Sequence, residues 1–433
     1  MVSQVVQVAL LGIGAFLIAV ATVAFARRPV AMVYVLLGVY AWSLIGVVPS
    51  TRVMGIGVSL LDIANAVAFA AALVRMRRGP TAWQWTFLIV ILLIAYGALR
   101  GAIQLGDSAL LGFRSELFFI TPALFVSTIQ SAQLRGIVRG VVTFGLGLSV
   151  IALVRWLLIA AGVNLGTVAD FGIYTVARVI NAPATLWVGV SLVFWVVALF
   201  HRAPDTRTHA LLASSSLALL VVLLAQHRTV WVATMIMLAV ALVMARRHWL
   251  TKAAIVVVTL LGVLSIETSD ISDAGVVAES LVIAASDTRT WEWRLDRWAN
   301  VWSTHTDRGA QAIILGSGYG YGWVTGVVGE WEYSPHNGFI QVAVRLGLLG
   351  ALLVFLPYAV AMWRLTSVSD STARAIWLWN IGALVYYIPY SGTMLTGVLL
   401  GTAVVAMRFA TARQEAVRGS HIRRSATALE VGR

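Results

Sequence analysis

Residues 4–26 carry no charged side chain, and neither do residues 29–51 or 79–99. Each stretch meets or exceeds the roughly 18–20 residues that a helix needs to cross the apolar interior of a bilayer. Within lipid, a helix satisfies its own backbone hydrogen bonds, so helices are the natural form for apolar runs of this length. Composition agrees. The chain of 433 residues is 60% hydrophobic and only 11% charged, against about 25% charged in a typical soluble domain. The expected fold class is all-α: a polytopic membrane bundle, not a set of soluble domains.

Spans are expected near 4–26, 29–50, 54–74, 82–100, 116–133, 139–161, 180–200, 210–226, 229–245, 252–267, 337–363, 375–389 and 391–408. That gives 12–13 transmembrane helices, the count depending on whether Pro389 and Gly392 break the last apolar run. No basic segment precedes the first span, which therefore reads as a membrane helix and not as a cleaved signal peptide. The absence of cysteine excludes disulfides, thiol catalysis and thiolate metal sites. The formal net charge is +13. In a membrane protein such an excess points to anionic lipid and phosphate before nucleic acid, and no nucleic-acid partner is expected.

Basic clusters at 27–28, 75–78, 135–139, 201–209, 246–252, 364–374 and from Arg408 onward fall on alternate connections between the expected spans. Positively charged loops stay in the cytoplasm. The expected topology therefore has the N-terminus outside and the C-terminus inside the cytoplasmic membrane. The chain divides into an N-terminal transmembrane bundle (1–267), an extracytoplasmic loop (268–336), C-terminal transmembrane helices (337–409) and a basic, mobile cytoplasmic tail (410–433). Within the loop, Trp291, Leu295, Trp298, Trp302 and His305 recur at helical spacing. This predicts an amphipathic helix lying flat on the outer leaflet.

The arginines left over by this topology are informative. Arg52, Arg100, Arg114, Arg178, Arg228, Arg289, Arg294, Arg297 and Arg308 lie at or beyond the outer ends of spans. Arg155 falls in the outer part of its helix, and Arg345 lies roughly 13 Å below His336 at the helical rise. Arginine at membrane depth is costly and usually faces the bundle interior. Its planar fork matches phosphate oxygens. An outward-facing basic cavity beside lipid suits a lipid-linked phosphate or diphosphate. Asp62 and Asn65, one turn apart, are open to two readings: a cation or proton site, or a structural hydrogen bond. Three histidines fall on the outer side, His227, His305 and His336, with no carboxylate pair beside them to make a metal site. His336 stands out, because Pro335 fixes its approach, Asn337 is placed to cap the next helix, and Gly347 and Gly350 follow on one face. "GSGYGYG" lacks the lysine and strand context of a phosphate loop and reads as a tight turn.

The stretch "PHNGFIQVAVRLGLLG" resembles the signature of the O-antigen ligase and polymerase family of membrane glycosyltransferases: His-Asn, a bulky residue two positions on, then Gly-x-x-Gly in a long apolar helix. "WRLDRWANVW" is similar to the family's Arg-x-x-x-Trp element, here Arg294 and Trp298. "LGSGYGYG" is similar to its Gly-x-Gly turn. "AQHRTVWVA" resembles the Ser-Arg element at a span end, with Arg228 as the arginine and His227 in place of serine. "ARVINAPATL" resembles an Arg…Asn-x-Pro element, giving Arg178. Arg345 stands where the family usually has glutamate. The resemblance covers about 170–360.

The resemblance implies an enzyme that moves a glycan from an undecaprenyl diphosphate carrier to an acceptor hydroxyl on the outer face of the membrane. The acceptor is a lipid-anchored sugar for a ligase or a growing glycan for a polymerase. It further implies His336 as catalytic base and Arg178, Arg228 and Arg294 on the diphosphate. Asn337, Trp298, Arg289 and Arg345 take acceptor or supporting roles. No metal or other cofactor is implied, and attack opposite the leaving group inverts the anomeric centre. The alternative function is a flippase or transporter for the polyprenyl-linked glycan.

Overall fold

A computed structural model describes residues 2–45, 50–53, 56–105, 112–163, 179–201, 207–244, 289–319 and 335–431. The expected span 252–267, the acidic start of the long loop and Arg178 lie outside the described residues. So do Tyr321 and the rest of the glycine-rich turn beyond Tyr319.

In chain order the helices are α1 (Val2–Arg27), α2 (Pro29–Ile45), α3 (Leu60–Met76), α4 (Ala82–Leu105), α5 (Arg114–Ser127), α6 (Leu134–Ala160), α7 (Ala182–His201), α8 (Arg207–Leu224), α9 (Arg228–Met244), α10 (Arg289–Thr306), α11 (Ala310–Leu315), α12 (Gly338–Thr366), α13 (Ser371–Tyr386) and α14 (Met394–Val431). Among the described residues, α4, α6, α7, α12 and α14 are long and apolar enough to cross a membrane, and the shorter apolar helices α1, α2, α8 and α9 accompany them. The protein is an all-α polytopic helix bundle.

Local chemistry sets the helix ends. Ser59 opens α3 with a capping box, its hydroxyl accepting from the Asp62 amide while the Asp62 carboxylate accepts from the Ser59 amide at 2.7 Å. Asp370 opens α13 by accepting from Thr372 and Ala373. The break expected at Pro389 and Gly392 is present, between α13 and α14.

Two boundaries differ from expectation. A small hairpin, β1 (Ser50–Val53) against β2 (Ile56–Ser59), precedes α3, with Ser50 opposite Ser59. It occupies the start of the span expected at 54–74, because the capping box does not allow α3 to begin before Leu60. The helix α14 also continues past Phe409, through Val431.

Packing relies on small residues and on tryptophan. A Cβ on Gly397 would overlap the Phe119 carbonyl oxygen, and one on Gly401 would come within 2.7 Å of the Ala123 carbonyl oxygen. α14 therefore lies against α5 with three residues between its two notches, the spacing that lets helices in lipid approach closely. Trp187, fully buried in α7, donates to the Val141 carbonyl of α6, and Trp379 of α13 donates to Val190 of α7. Tryptophan in an apolar interior needs such a partner for its N–H.

The helix expected at 337–363 is broken. Gly347 sits at φ 71° and ψ 180°, so α12 is two helical pieces joined at a kink. Into that notch comes the turn after α11. The Ser317 amide donates to the Val344 carbonyl at 2.8 Å. A Cβ on Gly347 would overlap the Ile314 carbonyl, and one on Gly316 would overlap the Arg345 carbonyl. Only glycine fits both the left-handed backbone and the close approach.

Candidate active site

One end of the bundle collects the amino ends of α5, α7, α9, α12 and α14 together with α10 and the 316–319 turn. His336 lies here, half-buried, in the left-handed region at φ 48°. That conformation is uncommon outside glycine, and where it persists the surroundings impose it.

The surroundings here are two backbone anchors. On one side the Trp298 indole N–H donates to the Pro335 carbonyl at 2.6 Å. On the other, the Gly338 amide donates to the Tyr387 carbonyl at 2.7 Å. A Cβ on Gly338 would come within 2.6 Å of the Tyr387 ring and 2.9 Å of the Tyr390 carbonyl oxygen. Between the anchors, Asn337 is the N-cap of α12, its side-chain oxygen accepting from the Ile340 amide at 2.9 Å. The capping role expected of Asn337 is present, and the residue is buried.

Electrostatics complete the setting. Burial lowers the His336 pKa from its ordinary value, and the positive charges of Arg294 and Arg297 lower it further. Both effects favour the neutral imidazole, the form that accepts a proton. Burial also lowers the Arg294 pKa. Its hydrogen-bonded neighbour Tyr390 opposes that, while Arg228 adds to it. The Arg294 guanidinium lies 5.9 Å from the centre of the Tyr390 ring. Arg297, which is buried, stacks on Trp293 with its guanidinium carbon 4.0 Å from the ring centre. Arg228, at the first turn of α9, therefore shares one region with Arg294, Arg297 and His336.

His227, beside Arg228, is buried and pairs through Nε2 with the Ile180 carbonyl at 3.0 Å. It joins α9 to the segment leading into α7. His305 is also buried, with Nδ1 2.7 Å from the Ser317 hydroxyl, and its pKa is lowered by burial and by Arg308.

Several of the arginines expected at outer span ends hold backbone carbonyls. Arg345 donates to Gly318 at 2.8 Å, Arg100 to Gly316 at 2.6 Å, Arg155 to Val179 at 2.9 Å and Arg114 to Gly57 at 2.6 Å. Arg114 also pairs with Asp62 at 3.4 Å. Of the bonds to a neighbouring helix expected for Asp62 and Asn65, Asp62 makes one through Arg114 of α5, whereas the Asn65 amide donates within α3 to the Leu61 carbonyl. Arg345 stacks 5.5 Å from the Tyr319 ring centre and so braces the turn beneath His336.

The amphipathic helix α10 is present, with a division of faces that the spacing alone did not give. Trp291, Leu295 and Trp302 are exposed, while Arg297, Val301 and His305 are buried. Trp298 and His305 turn inward from the expected tryptophan face to reach Pro335 and Ser317. The Arg289 side chain lies outside the described residues.

Sequence reasoning missed two participants. Tyr390 carries Arg294, and its one signal was an aromatic residue within the Pro-Gly break. Glu116 is a buried carboxylate at the amino end of α5, where the helix dipole favours negative charge. It accepts from Gln341 Nε2 and from the Ser115 hydroxyl, both at 2.7 Å, and Gln341 in turn accepts from Ser391. This network joins α5, α12 and the α13–α14 turn below His336.

The family model for O-antigen ligase matches residues 213–355. That segment contains Arg228, Arg294, Trp298, His336, Asn337 and Arg345, and it leaves Arg178 outside. No curated protein matches the chain. Residues 213–355, a third of the chain, thus match the O-antigen ligase family, and this match together with the apolar helices supports a membrane enzyme of glycan transfer.

Proposed function

We propose that the protein transfers a glycan from a polyprenyl diphosphate carrier to an acceptor hydroxyl on the outer face of the cytoplasmic membrane. The observation that carries this reading is the setting of His336, held between two backbone anchors beside Arg294 and within the region of Arg228, where burial and positive charge favour the neutral imidazole.

The step balances without a further reagent. His336 takes the proton of the acceptor hydroxyl as its oxygen attacks the anomeric carbon. The bond from that carbon to the diphosphate oxygen breaks, and the electron pair leaves with the diphosphate. Negative charge grows on the leaving group, where Arg228 and Arg294 act, with Arg178 joining them by its place in the resemblance. Fixed positive charge aimed at a developing anion is worth most in a site that excludes water. Attack opposite the leaving group inverts the anomeric centre. Asn337 and Trp298 keep His336 in place, Arg345 supports the turn below it, and Arg289, at the start of α10, belongs to the acceptor side.

The test is a proteoliposome assay with a polyprenyl diphosphate oligosaccharide, EDTA and no nucleotide. Wild type is expected to join or transfer the glycan, and product length separates a polymerase from a ligase. His336→Ala and Arg228→Ala are expected to lose at least about 100-fold in rate while remaining folded. Full activity in His336→Ala would overturn its role. Movement of the lipid between leaflets with no sugar joined would replace the enzyme with the flippase.

A further inference from the structure

At the end of the bundle remote from His336 is a cavity of about 650 Å³. Met394 of α14 lies at the His336 end, and Arg408, which lines the cavity, lies fourteen residues along the same helix, about 21 Å away at the helical rise. Four arginines, Arg27, Arg75, Arg78 and Arg408, line this cavity, and none of its lining residues is acidic.

Two of the four have work within the fold. Arg75 donates to the Ala26 carbonyl at 2.8 Å and to both the hydroxyl and the carbonyl of Thr128 at 2.9 Å. Arg408 donates to the carbonyls of Ser127 and Ile129 at 2.6 and 2.7 Å. Both gather carbonyls at the carboxyl ends of α1 and α5, where cations are favoured. Capping does not account for the remainder. Arg27 and Arg78 are exposed at the rim. Arg408 Nε and the Thr81 hydroxyl, both belonging to lining residues, are buried without a hydrogen-bond partner. Thr81 also precedes the first turn of α4, whose amino end carries positive partial charge. Four like charges, a helix amino end and two unsatisfied buried polar atoms surround one cavity, with no acidic residue among its described lining.

We infer that this cavity is a binding site for a phosphate group, separate from the site of glycan transfer. Guanidinium forks supply paired N–H donors to phosphate oxygens, and four of them suit a group of one or two negative charges. Val23 and Val74 also line the cavity and are exposed, at 50% and 39%. Exposed valines beside a basic pocket fit the head and first methylenes of an anionic phospholipid. A free phosphate or diphosphate shares the same headgroup chemistry.

The experiment compares wild type, Arg27→Gln/Arg78→Gln and a control, Arg135→Gln/Arg139→Gln, whose arginines are exposed and do not line the cavity. Native mass spectrometry reads the lipid retained from nanodiscs of phosphatidylglycerol or of phosphatidylcholine. Thermal melting in detergent reads stabilisation by added inorganic phosphate or pyrophosphate. Selective retention of phosphatidylglycerol, falling about tenfold or more in the cavity variant and not in the control, supports a lipid source. Stabilisation by phosphate or pyrophosphate, lost in the cavity variant alone, supports a soluble source. Equal retention of both lipids together with no stabilisation by phosphate or pyrophosphate, or no difference between the two variants in either readout, overturns the site. Both cavity substitutions are at exposed positions, and an unchanged melting temperature without ligand verifies that the variant is folded.

Discussion

The indole of Trp298 holds the carbonyl of Pro335, and the residue so held is the one immediately before His336. The amphipathic helix thus fixes the backbone that presents His336, the proposed base. Trp298→Phe keeps the ring and removes the donor. A hydrogen bond of this kind contributes about 0.5–1.5 kcal/mol. Transfer is therefore expected to fall roughly 3- to 10-fold with little change in melting temperature, read in parallel by the proteoliposome assay and by thermal melting. A Phe variant as fast as wild type would show that the anchor does not position His336.

The charge environment of His336 predicts a pH dependence. The imidazole acts as a base only when neutral, and burial with Arg294 and Arg297 lowers its pKa. Wild type should keep kcat/KM below the ordinary histidine range as pH falls. Arg297→Met removes one of the lowering charges, so the acid limb is expected to move to higher pH. An unmoved limb would disconnect Arg297 from the base.

Stability should follow the same groups and fall on the same acid side. His336 and His305 both have lowered folded-state pKa values. The unfolded chain therefore binds more protons once pH falls below about 6.5. The melting temperature is expected to decline as pH drops through that value and to be flat above it. Replacing both histidines with glutamine should flatten the decline, and a slope that persists would assign it elsewhere.

Much of this arrangement was legible from residue patterns. The apolar runs gave the bundle, Pro389 and Gly392 gave the break between α13 and α14, and the His-Asn pair before an apolar stretch gave the capped start of α12. These are local signals, written in neighbouring residues. Arg100, Arg155 and Arg345 read as a basic cavity, whereas each donates to a carbonyl far away in sequence. Tyr390 and Glu116 were missed for the same reason: each matters through what the fold brings beside it. The kink at Gly347 was hidden because an apolar run reads identically whether the helix is whole or broken. The turn that fills the notch lies about thirty residues upstream.

The buried Glu116–Gln341 pair gives a double-mutant cycle. Gln341→Leu removes a donor from a buried carboxylate and is expected to cost about 1–3 kcal/mol. Glu116→Leu/Gln341→Leu should recover part of that loss, since removing both polar partners is milder than stranding one. Chemical denaturation in detergent checks the four species, and strictly additive effects would show that the two side chains are not coupled.

Gly347→Ala and Gly316→Ala each force a side chain into left-handed backbone, costing about 1–2 kcal/mol before any overlap is counted. Both are expected to lower the melting temperature and to reduce transfer.

What either methyl would strike is a carbonyl oxygen of the main chain, Ile314 in one case and Arg345 in the other. A clash between side chains leaves a lineage an escape, because a neighbour can shrink and restore the fit. Here there is no side chain to trim. In a selection for second-site suppressors, neither alanine variant should yield a revertant among the contacting residues, and this joint can drift only if the turn and the helix change course together.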